Sequence, residues 1–310
     1  MTPIPMRSSL LVAFLLLAAA VPAAAQQRRD DGLLYDRDRG GRLDTTVTLD
    51  RGGLVALTTR HGDVRVHTGP ANTVVVHATA ERGRIRFDAS RDRVAVDASD
   101  LGGDVRFDIT VPLGARVSSQ SQGGDVSVSG TGGDVSVHSQ TGDVTVQNAS
   151  GHVDLSTLSG DITASDLRGD VSASSVSGEI RLTGVTGNVS AASVSGDVTL
   201  SRVTSQSVSA QSTSGDVGFD GAIAADGRYD LGSHSGDVTL TIPADASAQL
   251  TVSTWNGSID SEFPITLEPG EHGIGAGTSK RFTFTIGGGA ARISAQTFSG
   301  DVVIRRRGGK

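Results

Sequence analysis

The stretch that decides the fold is SGDITASDLRGDVSASSVSGEIRLTGVTGNVSAASVSGDVTL, residues 159–200. Glycine returns here at every ninth position, and the same period extends back to Gly124. The glycines of this series are Gly124, Gly133, Gly142, Gly151, Gly160, Gly169, Gly178, Gly187 and Gly196. Most of them are followed by Asp and then by Val or Ile. A short fixed period is the signature of one structural unit that is repeated and stacked.

The apolar residues of each nine-residue unit follow one pattern. The residue after Gly-Asp is apolar, and so is the one two places on, as at Val171 and Ala173. This alternation is typical of a β-strand with one buried face. The residue five places on is usually apolar too, and we expect it to re-enter the interior after a corner. These third residues are Leu167, Val176, Val185, Val194 and Val203.

A second period, of eighteen residues, sets the length of a coil. Gly allows a tight turn and Asp accepts hydrogen bonds from turn N–H groups, so two nine-residue strand-turn units are predicted to form one coil of a flattened β-solenoid. Alternate turns carry an acid, and these acids form what we call the acidic column: Asp125, Asp143, Asp161, Glu179, Asp197 and Asp216. The intervening turns are less regular: Asp134, His152, Asp170, Asn188 and Ser207. Further Ser-Gly-Asp-Val copies at 235–238 and 299–302 are spaced more widely, which indicates that longer segments leave the stack.

The composition agrees with an all-β solenoid. The 310 residues include one Trp, two Tyr and eight Phe, too few aromatic side chains for a thick globular core. A solenoid core is thin, and stacked Val, Ile, Leu and Ala side chains fill it. No segment after residue 26 has the apolar periodicity of a helix.

One solenoid domain is predicted for residues 43–305. It comprises an N-terminal β cap (43–117), regular repeats (118–240) and C-terminal repeats with a second cap (241–305), because a solenoid needs end units that cover its edge strands. The cap strands are predicted at Thr45–Leu49, Leu54–Thr58, Val64–His67, Thr73–Ala78, Arg84–Asp88, Arg93–Asp97, Val105–Val111 and Arg281–Ile286. A flexible charged lead-in (26–42) precedes the domain, and a basic tail (306–310) follows it.

Residues 1–25 have the features of a secretory signal peptide. Arg7 gives a positive start, Leu10–Ala20 is an apolar run, and Ala23–Ala25 offers small residues for cleavage. We therefore predict an exported protein, located in the periplasm, at the cell surface or in the medium. The chain has no cysteine, so disulfides cannot stabilise it in an oxidising compartment.

The repeats and two further phrases together resemble a bacterial family. These are the Ser-Gly-Asp-Val copies, VPLGA at 111–115 and IPADA at 242–246. The chain is similar over about residues 43–305 to a family of exported β-solenoids of unknown function that are usually labelled putative adhesins. The resemblance implies a β-solenoid outside the cytoplasm, and it implies no catalytic residues.

No residue is predicted to be catalytic, to bind a cofactor or to bind a metal. The acidic column is the strongest candidate, because carboxylates stacked about 4.8 Å apart repel one another unless a cation or backbone donors satisfy them. Calcium-binding nonapeptides carry more glycines than this repeat, so we expect Asp to cap its own turn. Of the seven histidines, His67 and His77 lie on neighbouring predicted strands and could approach each other. The remaining five are His61, His138, His152, His234 and His272.

Three shorter motifs are interpreted as parts of the repeat or of loops. Gly232–Gly236 resembles a nucleophile elbow, but its central residue is His234 and no helix follows, so it is interpreted as a repeat turn. Arg168-Gly169-Asp170 follows from the Gly-Asp period. The glycine-rich segment 273–277 precedes no helix that could bind phosphate.

The sequence favours a non-enzymatic envelope or surface binding module that presents polar Ser/Thr faces. Its partner is predicted to be an envelope component, a protein or a polysaccharide. A net charge of −7 argues against nucleic acid, and no membrane span is predicted in the mature chain. Two alternatives remain: a calcium-stabilised scaffold that uses the acidic column, and a carbohydrate-active β-helix enzyme. The enzyme would need acids clustered with Arg or Lys on one outer face.

Overall fold

The computed structural model describes residues 41–69, 72–264 and 280–308. The chain divides into residues 1–38 and 39–310, and every described residue belongs to the second unit. The predicted signal peptide, residues 26–40 of the lead-in, the glycine-rich segment 273–277 and His272 therefore lie outside the described residues.

All regular elements in the described part of the chain are strands, which confirms the all-β prediction. They are β1 (Arg42–Thr48), β2 (Leu54–His61), β3 (Val64–Gly69), β4 (Thr73–Ala80), β5 (Arg86–Ala89), β6 (Arg93–Ala98), β7 (Val105–Pro112), β8 (Arg116–Gly123), β9 (Val126–Ser129), β10 (Val135–Thr141), β11 (Val144–Gln147), β12 (Val153–Ser159), β13 (Ile162–Arg168), β14 (Val171–Ser177), β15 (Ile180–Thr186), β16 (Val189–Ser195), β17 (Val198–Ser214), β18 (Val217–Ser235), β19 (Val238–Pro243), β20 (Ala248–Asn256), β21 (Ile259–Ser261), β22 (Lys280–Ile286), β23 (Ala291–Ser299) and β24 (Val302–Arg307).

The strands wind into a β-solenoid with two long faces. Face 1 has the strand order β5-β6-β2-β8-β10-β12-β14-β16-β17-β18-β23-β20-β22. Face 2 has the order β1-β4-β7-β3-β9-β11-β13-β15-β17-β18-β19-β24-β21. Strands β17 and β18 each contribute their first part to face 2 and their second part to face 1. Val153, Val171 and Val189 are in register on successive coils, so the predicted coil of eighteen residues is confirmed.

The two faces bury different positions of the nine-residue unit. On face 2 the third apolar residue is buried as predicted, at Leu167, Val185 and Val203. The residue before it has a positive φ, and this local turn shifts the alternation of inward and outward side chains by one position. These residues are Asn148, Asp166, Gly184 and Arg202. On face 1 the strand alternates without this corner. The prediction is therefore wrong for face 1, where Val194 is 41% exposed and Ser193 is buried instead.

Face 1 consequently buries a column of hydroxyl side chains, one for each coil from β2 to β20 in the order of the face. This hydroxyl column runs through Thr59, Ser121, Ser139, Thr157, Ser175, Ser193, Ser212, Ser233, Thr297 and Thr254. Ser212 Oγ donates to the Gly196 carbonyl over 2.9 Å, and Thr297 Oγ1 donates to the Gly236 carbonyl over 2.8 Å. Eight of the ten hydroxyls donate to a backbone carbonyl in or next to a turn, whereas Thr157 Oγ1 and Ser175 Oγ are buried without a hydrogen-bond partner in the described structure.

Antiparallel strands cap the solenoid at both ends, as predicted. Strand β5 covers the N-terminal edge of face 1, β4 and β1 cover that of face 2, and β22 covers the C-terminal edge of face 1. At each end the coil order departs from the chain order: β2–β3 lie between β6–β7 and β8–β9, and β23–β24 lie between β18–β19 and β20–β21. The widely spaced Ser-Gly-Asp-Val copies are thereby brought together, since the Asp301 N–H donates to Asp237 Oδ1 over 2.8 Å.

Two details at the ends of the domain were not foreseen from the sequence. The N-terminal segment contains its own Gly62-Asp63-Val64 copy, and Val64 stacks in register on Val126. Strand β24 also continues through Arg306 and Arg307, so the prediction that these two residues belong to a basic tail is wrong. Arg307 forms an ion pair with Asp220, and the Arg306 guanidinium lies 4.9 Å from the centre of the Phe263 ring.

Candidate binding surface

The acidic column is held by backbone donors from neighbouring coils. The N–H groups of Asp143, Asp161 and Glu179 each donate to Oδ1 of the preceding acid over 2.8–2.9 Å. Aspartate therefore caps the turn of the next coil and not its own turn, which corrects the expectation from sequence. The same contact continues beyond the predicted column, from Asp216 through Asp237 to Asp301.

One carboxylate at the end of this column has a clearly perturbed acidity. Asp301 accepts a 2.7 Å hydrogen bond from the Ser258 N–H, and this contact is the main reason why its pKa lies below the usual value. Within the described ranges, no three His, Asp or Glu side chains are arranged so that they could hold a metal ion. The geometry of the column is thus that of a repeated backbone cap.

His67 and His77 lie on either side of β7 and do not meet. His77 is opposite Asp108 in the β4–β7 register and pairs through Nδ1 with Asp44 over 2.7 Å. His67 Nδ1 lies 3.2 Å from Asp108, and its Nε2 lies 2.7 Å from Thr110 Oγ1. The hydrogen bond from His77, with a further one from Arg42, lowers the pKa of Asp44. These side chains form a half-exposed polar cluster on the outside of face 2.

A groove of about 710 Å³ lies at the N-terminal end of the solenoid. Its lining includes the carboxylates Asp63, Glu81 and Asp104 together with His61 and Arg106. This is the arrangement that the alternative enzyme hypothesis requires, namely acids grouped with an arginine on the outer surface.

The outside of face 1 carries an exposed apolar column. It runs through successive coils as Leu158, Val176, Val194, Thr213, His234, Phe298 and Trp255, each next to a member of the buried hydroxyl column. Leu158 is 51% exposed, Phe298 48% and Trp255 53%. Of the five large hydrophobic side chains that the described structure exposes, four lie in this column, and Leu113 is the fifth. Exposed apolar side chains are therefore concentrated on one line.

The C-terminal part of this column is a stack of three rings, which we call the aromatic ladder. The His234 and Phe298 rings have centroids 4.9 Å apart and are inclined by 11°. The Phe298 and Trp255 rings have centroids 5.9 Å apart and are inclined by 12°. The ladder was missed from the sequence because the coil order β18-β23-β20 differs from the chain order, and no short-range signal shows that reversal.

The surroundings of the apolar column are nearly uncharged. From β12 to β17 the outward residues of face 1 beside the column are serines, alanine and glutamine, and Asp154 is the charged exception. Ser159, Ser177 and Ser195, which precede the repeat glycines, form an exposed row directly beside it. The result is an apolar line bordered by hydroxyl groups.

The remaining sequence motifs have structural positions. Asp170 of the Arg168-Gly169-Asp170 motif accepts the Asn188 N–H over 2.9 Å, as Asp134 accepts the His152 N–H in the same series of turns. His234 and Ser235 lie in β18, so Gly232–Gly236 is mainly strand and ends at a turn. No helix that is long and apolar enough to cross a membrane occurs in the described residues.

The sequence profile of the Toastrack family, a domain family of unknown function (DUF4097), matches residues 96–226 and 130–305. These matches together span more than half of the chain, and the chain belongs to this family. The resemblance based on the Ser-Gly-Asp-Val copies is thereby confirmed.

Two crystal structures are similar to this chain at low identity. A putative cell adhesion protein from Clostridium sporogenes is 9% identical, with a TM-score of 0.21, and the match covers 86% of this chain and all of the other. A putative adhesin from Bacteroides fragilis is 12% identical, with a TM-score of 0.40, and the match covers 86% of this chain and 97% of the other. A search of curated proteins finds no match.

Proposed function

We propose that this Toastrack protein is an exported, non-enzymatic binding module of the cell envelope or surface, and that the outside of face 1 is its contact surface. The features of a signal peptide in residues 1–25 support export. The partner is an envelope component. Repetition over many coils gives many weak, equivalent contacts, whose combined avidity exceeds that of any single one.

The concentration of exposed apolar side chains in one column carries this proposal. Isolated apolar residues on a protein surface are ordinary, but several exposed apolar side chains grouped on one line with a polar border are typical of an interaction site. In this column Thr213 and His234 separate the aliphatic side chains from Phe298 and Trp255. In the isolated chain the exposed side chains of Leu158 and Val194 leave apolar area in water, so their outward position contributes no hydrophobic stabilisation. A partner that covers them removes this apolar area from water.

Co-sedimentation of the purified protein with isolated cell envelopes tests the proposal. We expect saturable binding, which falls by about tenfold or more in the triple variant Leu158→Ser, Val176→Ser, Val194→Ser, because each truncation removes apolar contact area. The matched control is Thr145→Ser, Thr163→Ser, Thr199→Ser, which trims three outward residues on face 2. Absence of saturable binding, or equal binding by the two triple variants, would contradict the proposal.

Calcium dependence separates the proposal from the scaffold alternative. Because the acidic column already accepts backbone N–H groups, we expect the same melting temperature in calcium and in chelator. A large upward shift in calcium would favour a calcium-stabilised scaffold.

The enzyme alternative is supported by the groove that contains Glu81 and Asp104. Incubation with envelope polysaccharides, followed by measurement of newly formed reducing ends, tests it directly. We expect no release. Release that is abolished by Glu81→Gln or Asp104→Asn would establish an enzyme in place of a binding module.

A further inference from the structure

Three arginines lie on the outside of face 1 at its C-terminal end. Arg228 on β18 is directly beside Arg292 on β23, and Arg281 on β22 is opposite Ser253 on β20. All three are exposed, and none of them forms an ion pair in the described structure. Two like charges at directly adjacent strand positions destabilise a sheet, so the Arg228–Arg292 pair lowers the stability of the folded protein.

The charge of this region is opposite to that of the whole chain. Among the residues that these four strands direct outward on face 1, as far as they are described, Asp230 is the one carboxylate beside the three arginines; the part of β18 that precedes Arg228 also carries Asp220 and the exposed Asp226. The whole chain has a net charge of −7. An anionic ligand would therefore be repelled by most of the molecule and attracted to this end of face 1.

The arginine pair and the aromatic ladder lie at opposite ends of the same strands. Six residues separate Arg228 from His234 on β18, and six separate Arg292 from Phe298 on β23. At about 3.3 Å per residue the separation is about 20 Å. The outward residues between them are mostly neutral hydrogen-bonding groups: Ser294, Gln296, Thr251 and Ser253.

We propose that this C-terminal patch, formed by Arg228, Arg281, Arg292 and the aromatic ladder, binds an acidic polysaccharide. The inference rests on the proposed function and names the chemical class of the partner. A guanidinium binds a carboxylate through two parallel hydrogen bonds, the hydroxyls and amides pair with sugar hydroxyls, and the exposed parts of the rings contact sugar C–H groups. A linear chain that lies along β18 and β23 reaches all three kinds of group.

Binding to a defined polyuronate is the test. Purified protein is titrated with polygalacturonate, with neutral dextran as the comparison and anionic phospholipid vesicles as a separate arm. We expect saturable binding to polygalacturonate that weakens as salt is raised, because guanidinium–carboxylate contacts are screened. We expect no binding to dextran.

Two variants and a control localise the site. Arg228→Gln with Arg292→Gln should weaken polygalacturonate binding by at least about tenfold, since it removes two charge-assisted contacts. Phe298→Ala with Trp255→Ala should weaken it to a similar extent while the salt dependence is retained. The control Arg65→Gln with Arg168→Gln removes two exposed charges away from the patch and should bind like the unmodified protein.

Three results would overturn the inference: no binding of polygalacturonate at low salt, equal loss in the Arg65/Arg168 control, or binding of the anionic vesicles in place of the polyuronate. Its failure is distinguishable from failure of the proposed function. Envelope binding that depends on Leu158, Val176 and Val194 but is accompanied by no polyuronate binding would retain the first proposal and remove this one.

Discussion

Repeat glycines stand where the backbones of successive coils approach most closely. An added Cβ at Gly160 would lie 2.1 Å from the Gly142 carbonyl oxygen, and Gly160 has a φ of +145°. Both side chain and conformation are therefore unfavourable there for any other residue. Because this close backbone contact recurs at every ninth residue and requires glycine, the nine-residue glycine period predicted the coil.

Gly160→Ala is expected to lower the free energy of unfolding by about 1–3 kcal/mol, through overpacking against the neighbouring backbone. Gly218→Ala is the matched control, because an added Cβ there meets nothing within 4 Å. Thermal or denaturant unfolding measures both. Equal effects at the two positions would show that coil contact is not what requires glycine at Gly160.

Tyr229 fills the place where the regular coil widens. Its hydroxyl donates to the Ser205 carbonyl over 2.6 Å and accepts the Ala224 N–H over 2.8 Å, while its ring packs edge-on against Phe219. Burial raises the pKa of this phenol. Tyr229→Phe leaves both backbone groups without this partner and should cost about 1–3 kcal/mol of unfolding free energy. A denaturation midpoint that is unchanged by Tyr229→Phe would contradict this role.

At the scale of the element, the strand-turn unit and its corner were predictable, but the restriction of the corner to face 2 was not. The alternation at Val171 and Ala173 predicted the strands. On face 2 a residue with positive φ, such as Asp166, brings the next residue, Leu167, back into the core. Because an aspartate does not require a positive φ, the sequence does not show which strands contain this corner. The hydroxyl column was missed for a related reason: Ser175 reads as a surface residue until the register places it inside.

The acidic column gives a prediction that separates a backbone cap from an ion ligand. Asp161 Oδ1 accepts the Glu179 N–H over 2.8 Å. Asp161→Asn keeps an oxygen acceptor and should change stability by less than about 0.5 kcal/mol. Asp161→Ala removes the acceptor and should cost about 0.5–1.5 kcal/mol. If Asn were as harmful as Ala, and only when calcium is present, the carboxylate would be an ion ligand.

For the whole molecule, the solenoid predicts that complete coils are interchangeable. Each regular coil contacts only its neighbours, so deletion of residues 153–170 removes β12 and β13 and places Val171 where Val153 was. We expect this variant to fold and to melt cooperatively. Deletion of residues 162–170 instead removes half a coil, which moves every following face 1 strand onto face 2. We expect this variant to unfold or aggregate, because its hydroxyl column and its corners no longer align between coils.

Circular dichroism and thermal melting of the two deletion variants distinguish these outcomes. If both deletions were equally disruptive, the coil would not be the independent unit of the fold.

The position of the candidate binding surface also depends on the arrangement of the whole molecule. The aromatic ladder depends on the reversed order of the last coils, so sequence reasoning predicted that a face would bind but placed the contacts on Ser and Thr alone.

Trp255, the single tryptophan of the chain, is exposed on face 1 and reports directly on whether a partner covers that face. Acrylamide quenching of its fluorescence is measured while the protein is saturated with a solubilised envelope fraction. If face 1 is the contact surface, Trp255 becomes protected with the same midpoint as binding, and the Leu158/Val176/Val194 variant loses protection and binding together. Saturable binding that leaves Trp255 equally open to quencher would place the contact elsewhere and contradict the assignment of face 1 as the contact surface.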